Sequence, residues 1–391
     1  MRIALIASSL RLAGAEKQFV YMARALWQAG LDIRVFYLGE GDYYQSVLTD
    51  AGIPLRQVFA RDRPLLMLSR LVKEISAFKP QIVLASQFGD LIFATLAGRL
   101  CKALVLGGVR SDGFYELRST GWRAWPLLSL THGLIANSHR ARENLVSTGT
   151  DPENIAVLPN VIDLSDFDSK AAKPLPVRAA GDRIQITAIA SLQKCKRLDR
   201  FVAALAWARR QEPAILGVIA GDDLGEKRAL EQQAKALGLL PGHLEFLGEC
   251  NYVPALLAHS RLSILCSDYE GFPNAILEAM AARLPVLSTP AGDAPRIIED
   301  GVTGYVLQPD DEQAMGQHIV NLARNPSLAA QMGEAGRRRV ERHYNFNSLA
   351  KRLLSVFSTF ARARRKTSLL KLLEQKTAVN DIPHVPAIAG V

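Results

Sequence analysis

The run Ser267-Asp-Tyr-Glu-Gly-Phe-Pro-Asn-Ala-Ile-Leu-Glu278 carries two carboxylates, Glu270 and Glu278, on either side of a Gly271-Phe272-Pro273-Asn274 turn. An apolar strand-like run, Leu262–Cys266, precedes it, and helical pattern starts at about Asn274. A chain that turns sharply out of a sheet and opens a helix offers unpaired backbone N–H groups, which attract anions. Two carboxylates beside that point cannot bind the anion; they can bind hydroxyls attached to it. A diphosphate with a hydroxyl-rich ring at each end is a nucleotide sugar. The spacing argues against hydrolysis, because glycosidase carboxylates face each other across one bond at about 5–9.5 Å. At roughly 1.5 Å of rise per residue, Glu270 and Glu278 address different parts of an extended ligand. Two such acids on their own fit equally an amphipathic helix with Ile276, Leu277 and Met280 turned inward. The turn and the preceding strand favour the ligand reading.

Two further groups of residues suit the same ligand. Ser191-Leu-Gln-Lys-Cys-Lys-Arg197 lies between an apolar run and a helical pattern. A cation at such a corner suits phosphate, with Lys196 first and either Lys194 or Arg197 as a second, or the turn is simply a solvated basic one. Arg110-Ser111-Asp112 follows another apolar run. Arg110 there suits a phosphorylated or carboxylated acceptor or the donor phosphate, and its plainer alternative is a salt bridge to Asp112. Trp122 and Trp125 flank Arg123 nearby and would meet a lipid interface or a glycan, or pack in the ordinary way.

The elements that position these residues alternate along the chain. Apolar strands are expected at Arg2–Ser8, Ile33–Leu38, Gln81–Ala85, Ala103–Val109 and Gly133–Ala136, then at Ile184–Ala190, Ile215–Ala220, Leu262–Cys266 and Pro285–Ser288, with helices between. Glu16–Gly30 is one such helix, with Phe19, Met22, Ala23 and Leu26 on one face. Alternation of this kind implies parallel sheets covered by helices on both faces. The fold class is α/β, with two doubly wound domains: residues 1–165, an Asp/Ser/Lys/Pro-rich linker over 166–182, and residues 183–345. A helical, basic segment over 346–376 and a disordered tail over 377–391 complete the expected plan. Ligands in such sheets bind beyond the carboxyl ends of the strands, in a cleft if the two domains face each other.

The chain has 391 residues, 22% of them charged, and a net charge of +9. Arg337 to Lys376 alone holds twelve Lys/Arg against Glu341 and Glu374, a net of +10, so the remainder is near −1. A concentrated charge of this kind excludes a generally basic, nucleic-acid-binding surface. It suits either an anionic membrane surface reached through 337–376 or a solvated helix face. Cys101, Cys195, Cys250 and Cys266 are scattered, with neither a C-x-x-C spacing nor a disulfide framework. No run approaches the ~18 apolar residues of a membrane span. A cytoplasmic protein, peripheral on the inner face of the plasma membrane, is the expected setting.

Glu270-Gly271-Phe272-Pro273-Asn274 through Glu278 resembles the E-x7-E signature of the retaining glycosyltransferases of family 4, which have the GT-B fold. Phe246-Leu247-Gly248-Glu249 resembles the loop ahead of that family's donor-base site. Leu158-Pro-Asn-Val-Ile-Asp163 is similar to its P-N-G-V-D segment, and Gly14-Ala15-Glu16 to its G-G-A-E loop. The resemblance spans roughly residues 1–360. It implies that Glu278 holds the ribose, Glu270 a hydroxyl of the transferred sugar, Lys196 the diphosphate, and Gly14, Gly248 and the Gly271–Asn274 amides the rest of the donor. It implies retention of configuration, and a C-terminal helix that returns to the first domain. Three departures stand out. Ser191 replaces an Arg, Gly292-Asp-Ala-Pro-Arg296 replaces G-G-x-P-E, and Arg110 stands where many members have His. No Asp-x-Asp motif sits where a metal-dependent GT-A enzyme would need it, so no metal is expected. The expected partners are a nucleotide-diphosphate sugar, UDP before GDP, and a glycan or polyprenyl-linked acceptor of bacterial surface polysaccharide synthesis. A non-catalytic GT-B nucleotide-binding subunit and a nucleotide-sugar 2-epimerase are the alternatives.

Overall fold

The computed structural model describes residues 1–39, 43–59, 63–176 and 183–379, with backbone alone at Arg123, Ala378 and Val379. The described chain forms two compact units, Met1–Val161 together with residues 346–379, and Ile162–Asn345.

The first unit is built on seven strands: β1 (Arg2–Ala7), β2 (Asp32–Tyr37), β3 (Leu55–Gln57), β4 (Ile82–Ala85), β5 (Leu104–Val109), β6 (Gly133–Ala136) and β7 (Ile155–Val157). They pair in parallel in the order β3-β2-β1-β4-β5-β6-β7. Strands β4, β5 and β6 are buried along their whole length, the mark of a sheet covered on both faces. Side chains of β1 alternate between those faces. Ile3 and Leu5 enter one core with Phe19, Met22 and Leu26 of the helix Gly14–Gln28, while Ala4 and Ile6 enter the other with Leu71, Ile75 and Leu91. The helix Leu349–Ala363 completes the first face. Its Leu349, Leu353, Leu354, Phe357 and Phe360 fall at helical spacing and join Ile3 and Leu5. At about 1.5–3 kcal/mol per buried side chain, this face contributes on the order of 10 kcal/mol before chain ordering is subtracted.

The second unit repeats the plan with β8 (Ile184–Ile189), β9 (Ile215–Ala220), β10 (Leu244–Gly248), β11 (Leu262–Leu265), β12 (Val286–Ser288) and β13 (Gly304–Val306), parallel in the order β10-β9-β8-β11-β12-β13. Phe201, Leu205 and Ile319 pack with Ile186, Ile219 and Ile264 of the sheet. Ile276, Leu277 and Met280 of the helix Asn274–Ala281 pack with Leu265, Val286 and Val340. In each unit the strand order reverses once, between β1 and β4 and between β8 and β11. Loops leaving the carboxyl ends on either side of such a reversal diverge to opposite faces and leave a crevice.

The structure redraws several expectations. Leu164–Ala171, inside the Asp/Ser/Lys-rich stretch, is a helix whose Leu164 and Phe167 are buried and whose N-terminus is capped by Asp163. Residues 177–182 of the expected linker and 380–391 of the expected tail lie outside the described residues, and Thr377–Val379 continue the helix Thr367–Val379. The basic segment is divided between the two units. Arg337 is buried against Asp168 and Glu341 in the second unit, whereas Arg362 to Lys376 belong to the first. Among the described residues no helix is long and apolar enough to cross a membrane.

Candidate functional site

In the second unit the loops after β8 and β11 flank the reversal of strand order, so Lys196 and Glu270 meet although 74 residues apart. Lys196 Nζ donates to Glu270 Oε1 at 2.6 Å, and Ser267 Oγ donates to the same oxygen at 2.6 Å. The two loops are tied by their backbones as well, with Asp268 N–H donating to Cys195 O at 2.9 Å. Both charged side chains remain partly accessible, at 19% and 12% exposure, which leaves room for a ligand to approach the pair.

The turn that carries Glu270 is held from below. Phe272 is buried and packs at a tilt against Tyr344, ring centroids 5.8 Å apart, pinning the turn to the core. The helix then opens at Asn274 behind Pro273 with no side-chain cap at its N-terminus. Gly292 has φ +56°, and a Cβ there would lie 2.4 Å from Gly271 O and 2.7 Å from Glu270 O. Glycine is thus required for that loop to lie against the carboxylate-bearing turn. Glu278 sits one turn into the helix. Burial pushes the Cys250 thiol, in the loop after β10, up, with a smaller contribution from the charge of Glu278, and Gly248 ends β10 at φ +70°.

Arg197 takes a different position from the one its sequence suggests. Its guanidinium pairs with Asp199, Asp268 and Asp310, which hold its pKa above the usual arginine range. Buried Arg200 shares Asp268 and Asp310 and donates to Cys266 O at 2.9 Å, locking the end of β11 to the helix Leu198–Gln211. The side chain of Lys194 is exposed. Asp166-Phe167-Asp168 is the single Asp-x-Asp in the sequence. Asp166 pairs with Lys170 and Asp168 accepts a bidentate fork from Arg337, so cations already hold both carboxylates.

The first unit places Gly14 and Arg110-Ser111-Asp112 at the carboxyl ends of β1 and β5. Gly14 is the exposed first residue of its helix. Arg110 forms no bridge to Asp112. Its Nε donates to Ser86 O at 3.2 Å, and its guanidinium reaches Met22 Sδ at 3.4 Å. Burial lowers its pKa to about 10. Asp112 instead accepts from Tyr115 N–H at 2.8 Å. The loop is organised by Glu116, which accepts from the N–H groups of Arg110, Ser111 and Gly113 at 3.0, 2.7 and 3.0 Å. Burial pushes the Glu116 carboxyl up, against those three hydrogen bonds. Ser86 Oγ and Asn137 Oδ1, both buried beside Arg110, have no hydrogen-bond partner among the described residues. Between β1 and β4, Glu16 accepts from Ser9 Oγ at 2.7 Å and Gln87 Nε2 at 3.2 Å. Nearby Asp90, 1% exposed, is pushed up to about 7 by burial. Sequence reasoning passed over Ser267, Glu116, Arg200 and Asp90. Only Glu116 left a local signal, lying three residues after Gly113 in capping-box spacing.

Two parallel α/β units, each with its crevice at a single reversal of strand order, are the GT-B glycosyltransferase fold. A solved structure of the same fold, HepE of Anabaena in complex with UDP and glucose, superposes with a TM-score of 0.79 at 20% identity over 92% of this chain and 100% of that one. The model "Glycosyltransferase Family 4" matches residues 12–166 and "Glycosyl transferases group 1" matches residues 171–339, and the chain belongs to glycosyltransferase family 4. The N-acetyl-alpha-D-glucosaminyl L-malate synthase of Bacillus anthracis is 30% identical over 43% of this chain and 44% of its own. The lipopolysaccharide core biosynthesis mannosyltransferase LpcC of Rhizobium leguminosarum bv. viciae is 27% identical over 62% of this chain and 69% of its own. For several other curated relatives, including N-acetylglucosaminyltransferase subunits, the chain spans about half their length, from 40% to 53%.

Proposed function

We propose that this protein is a retaining glycosyltransferase that moves a hexose-type sugar from a nucleotide-diphosphate sugar, UDP rather than GDP, to a hydroxyl of a glycan or polyprenyl-linked acceptor in bacterial surface polysaccharide synthesis. The observation that carries the reading is the Lys196–Glu270–Ser267 group at the β8/β11 reversal. A lysine ammonium has three donors, so Lys196 can keep Glu270 and still reach a phosphate oxygen. Glu270, oriented by Ser267 and Lys196, accepts from a hydroxyl of the transferred sugar, and its charge favours the developing oxocarbenium. Glu278 accepts from the ribose hydroxyls. The amides at Gly271–Asn274 and the Lys196 charge stabilise the departing diphosphate, with Lys194 as a second cation. The anomeric C–O bond to phosphate breaks as the acceptor oxygen bonds the same face of the carbon, and the acceptor proton passes to the leaving phosphate oxygen. In the first unit, Arg110 and the unsatisfied Ser86 and Asn137 oxygens supply a polar seat for the acceptor. The diphosphate charge is met by protein cations and amides, so transfer persists in EDTA. The choice of UDP and of a surface glycan is supported by the UDP-bound neighbour and the lipopolysaccharide relative.

The test is sugar transfer from UDP-hexoses and GDP-hexoses to polyprenyl-diphosphate-linked glycans, in EDTA. Transfer from a UDP-hexose that Glu270→Ala abolishes while UDP binding survives supports the reading. A protein that binds no nucleotide diphosphate overturns it.

A further inference from the structure

The amino ends of the strands in the first unit hold a second feature, about 20 Å from Gly14 and Arg110 at roughly 3.3 Å per residue of β1. A cavity of about 740 Å³ opens there, lined by Arg2, Lys79, Lys102, Arg365 and Lys366 and by no carboxylate. The five cations come from four separate parts of the chain, so the cluster is a product of folding and not of one basic run. Three of them, Lys79, Lys102 and Arg365, have φ of 52°, 55° and 52°. Each follows the end of a helix, a left-handed position where glycine is the easy choice. Attraction to the helix C-termini accounts for a cation after each of these helices; it does not account for Arg2, at the start of β1, or for the hydroxyls of Thr367 and Ser368 in the same wall. The local field is strongly positive. Burial, then Arg99, Lys366 and Arg364, hold the neighbouring His132 down at about 4.

An exposed apolar stripe leads away from one edge of this cavity. Leu100, which lines it, is 69% exposed, and Leu96 and Ile92, one and two helical turns back along Leu91–Leu100, are 41% and 38% exposed. Leu130, 44% exposed, stands beside them, its carbonyl accepting from Arg99 Nε at 2.8 Å. Soluble surfaces seldom line up large apolar side chains at i, i+4, i+8 unless something covers them. A basic cavity at the end of an exposed apolar stripe is complementary to one kind of surface, phosphate outside and hydrocarbon within.

We propose that this cavity seats the phosphoryl head group of an anionic phospholipid, with the Ile92–Leu96–Leu100 stripe entering the adjoining acyl boundary. Membrane contact is thereby assigned to a folded pocket of the first unit, to which the segment 337–376 contributes Arg365 and Lys366. It does not depend on the sugar-transfer reading, because none of these residues belongs to either strand-reversal crevice.

The experiment is flotation of the full chain with phosphatidylglycerol–phosphatidylcholine vesicles and with phosphatidylcholine alone, at fixed salt. The parent should float with the anionic vesicles and remain behind with the neutral ones. The variant Lys79→Gln/Lys102→Gln/Arg365→Gln should bind more weakly by about fivefold per cation, on the order of a hundredfold in all. Leu96→Gln/Leu100→Gln should weaken binding at every salt concentration, as loss of a charge-independent contact would. These positions are exposed, so melting temperatures and transfer to a water-soluble acceptor should be unchanged in both variants. Equal flotation of the parent and the triple variant overturns the proposal. Stabilisation by inorganic pyrophosphate without vesicle binding also overturns it, because the pocket then serves a soluble phosphate.

Discussion

The two strand-reversal crevices are built to one plan and furnished differently. Between β8 and β11 a lysine and a glutamate share one short hydrogen bond and stay partly in contact with solvent. Between β1 and β4, Glu16 is held by the neutral groups of Ser9 and Gln87, and Asp90 is buried far enough to be pushed up to about 7. A salt bridge at the mouth of a crevice offers an anionic ligand a cation and a polyol a carboxylate at once. A crevice whose buried Asp90 is pushed up to about 7 and whose Glu16 is held by neutral donors brings no cation to a diphosphate and suits hydroxyls. The same topology is compatible with the proposed division of labour, with the nucleotide-sugar donor at the second unit and a hydroxyl-bearing acceptor at the first. The first few residues after each strand decide it.

The sharpest way to break this contrast is to remove its charged half. Glu270→Ala should lower transfer by about 10²–10³-fold while UDP affinity changes only a few-fold, because the carboxylate acts on the sugar and not on the diphosphate. Steady-state transfer alongside calorimetric UDP titration separates the two effects.

The second prediction concerns the buried acid in the first unit. A carboxyl whose folded pKa lies above its unfolded value binds more protons when folded. Asp90 therefore contributes stability that is fully present below about pH 4 and lost as pH rises to about 7. Asp90→Asn should abolish this loss, gaining up to roughly 4 kcal/mol at pH 7 relative to pH 4 when each is referred to the parent. His132, held down to about 4, contributes with the opposite sign as pH falls from about 6.5. The measurement is therefore the difference between variant and parent urea denaturation across pH 4–8.

Glu116→Ala should cost about 3 kcal/mol, since it strips the acceptor from three backbone N–H groups. It should also raise the KM for acceptor more than that for donor, and denaturation with two-substrate kinetics checks both. The smallest effect expected is that of Gly292→Ala, about 2 kcal/mol from a left-handed φ and a Cβ forced onto Gly271 O. Its signature is a drop in donor affinity of about tenfold with acceptor KM unmoved.

Much of the frame was legible because buried parallel strands are written as plain apolar runs. Gly133–Ala136 and Ile215–Ala220 fall on the expected residues, and most others within one or two. Strands β3 and β7 escaped notice because each has only three residues at a sheet edge, and β3 presents two of its three to solvent. Strand β10 was legible only as the loop at its end. At the site, each of Lys196 and Glu270 could be put at the end of a strand. Their contact could not be read, because it depends on β8 and β11 being neighbours, a fact of strand order with no local trace. Arg197 illustrates the opposite error. A cation in a phosphate-like corner looked available, and Asp199 two residues on, with Asp268 and Asp310 far along the chain, turned out to hold it. The polar helix Leu164–Ala171 was hidden by composition, its Leu164 and Phe167 being too few to mark a buried face.

Thermal stabilisation by UDP in the presence of EDTA, compared between the parent and Lys196→Ala, tests the central assignment most directly. If the β8/β11 crevice is the donor site, UDP at about a hundred times its dissociation constant adds roughly 2.7 kcal/mol to the parent, and the lysine variant loses most of that gain. Equal stabilisation of both proteins, or of neither, would contradict the assignment.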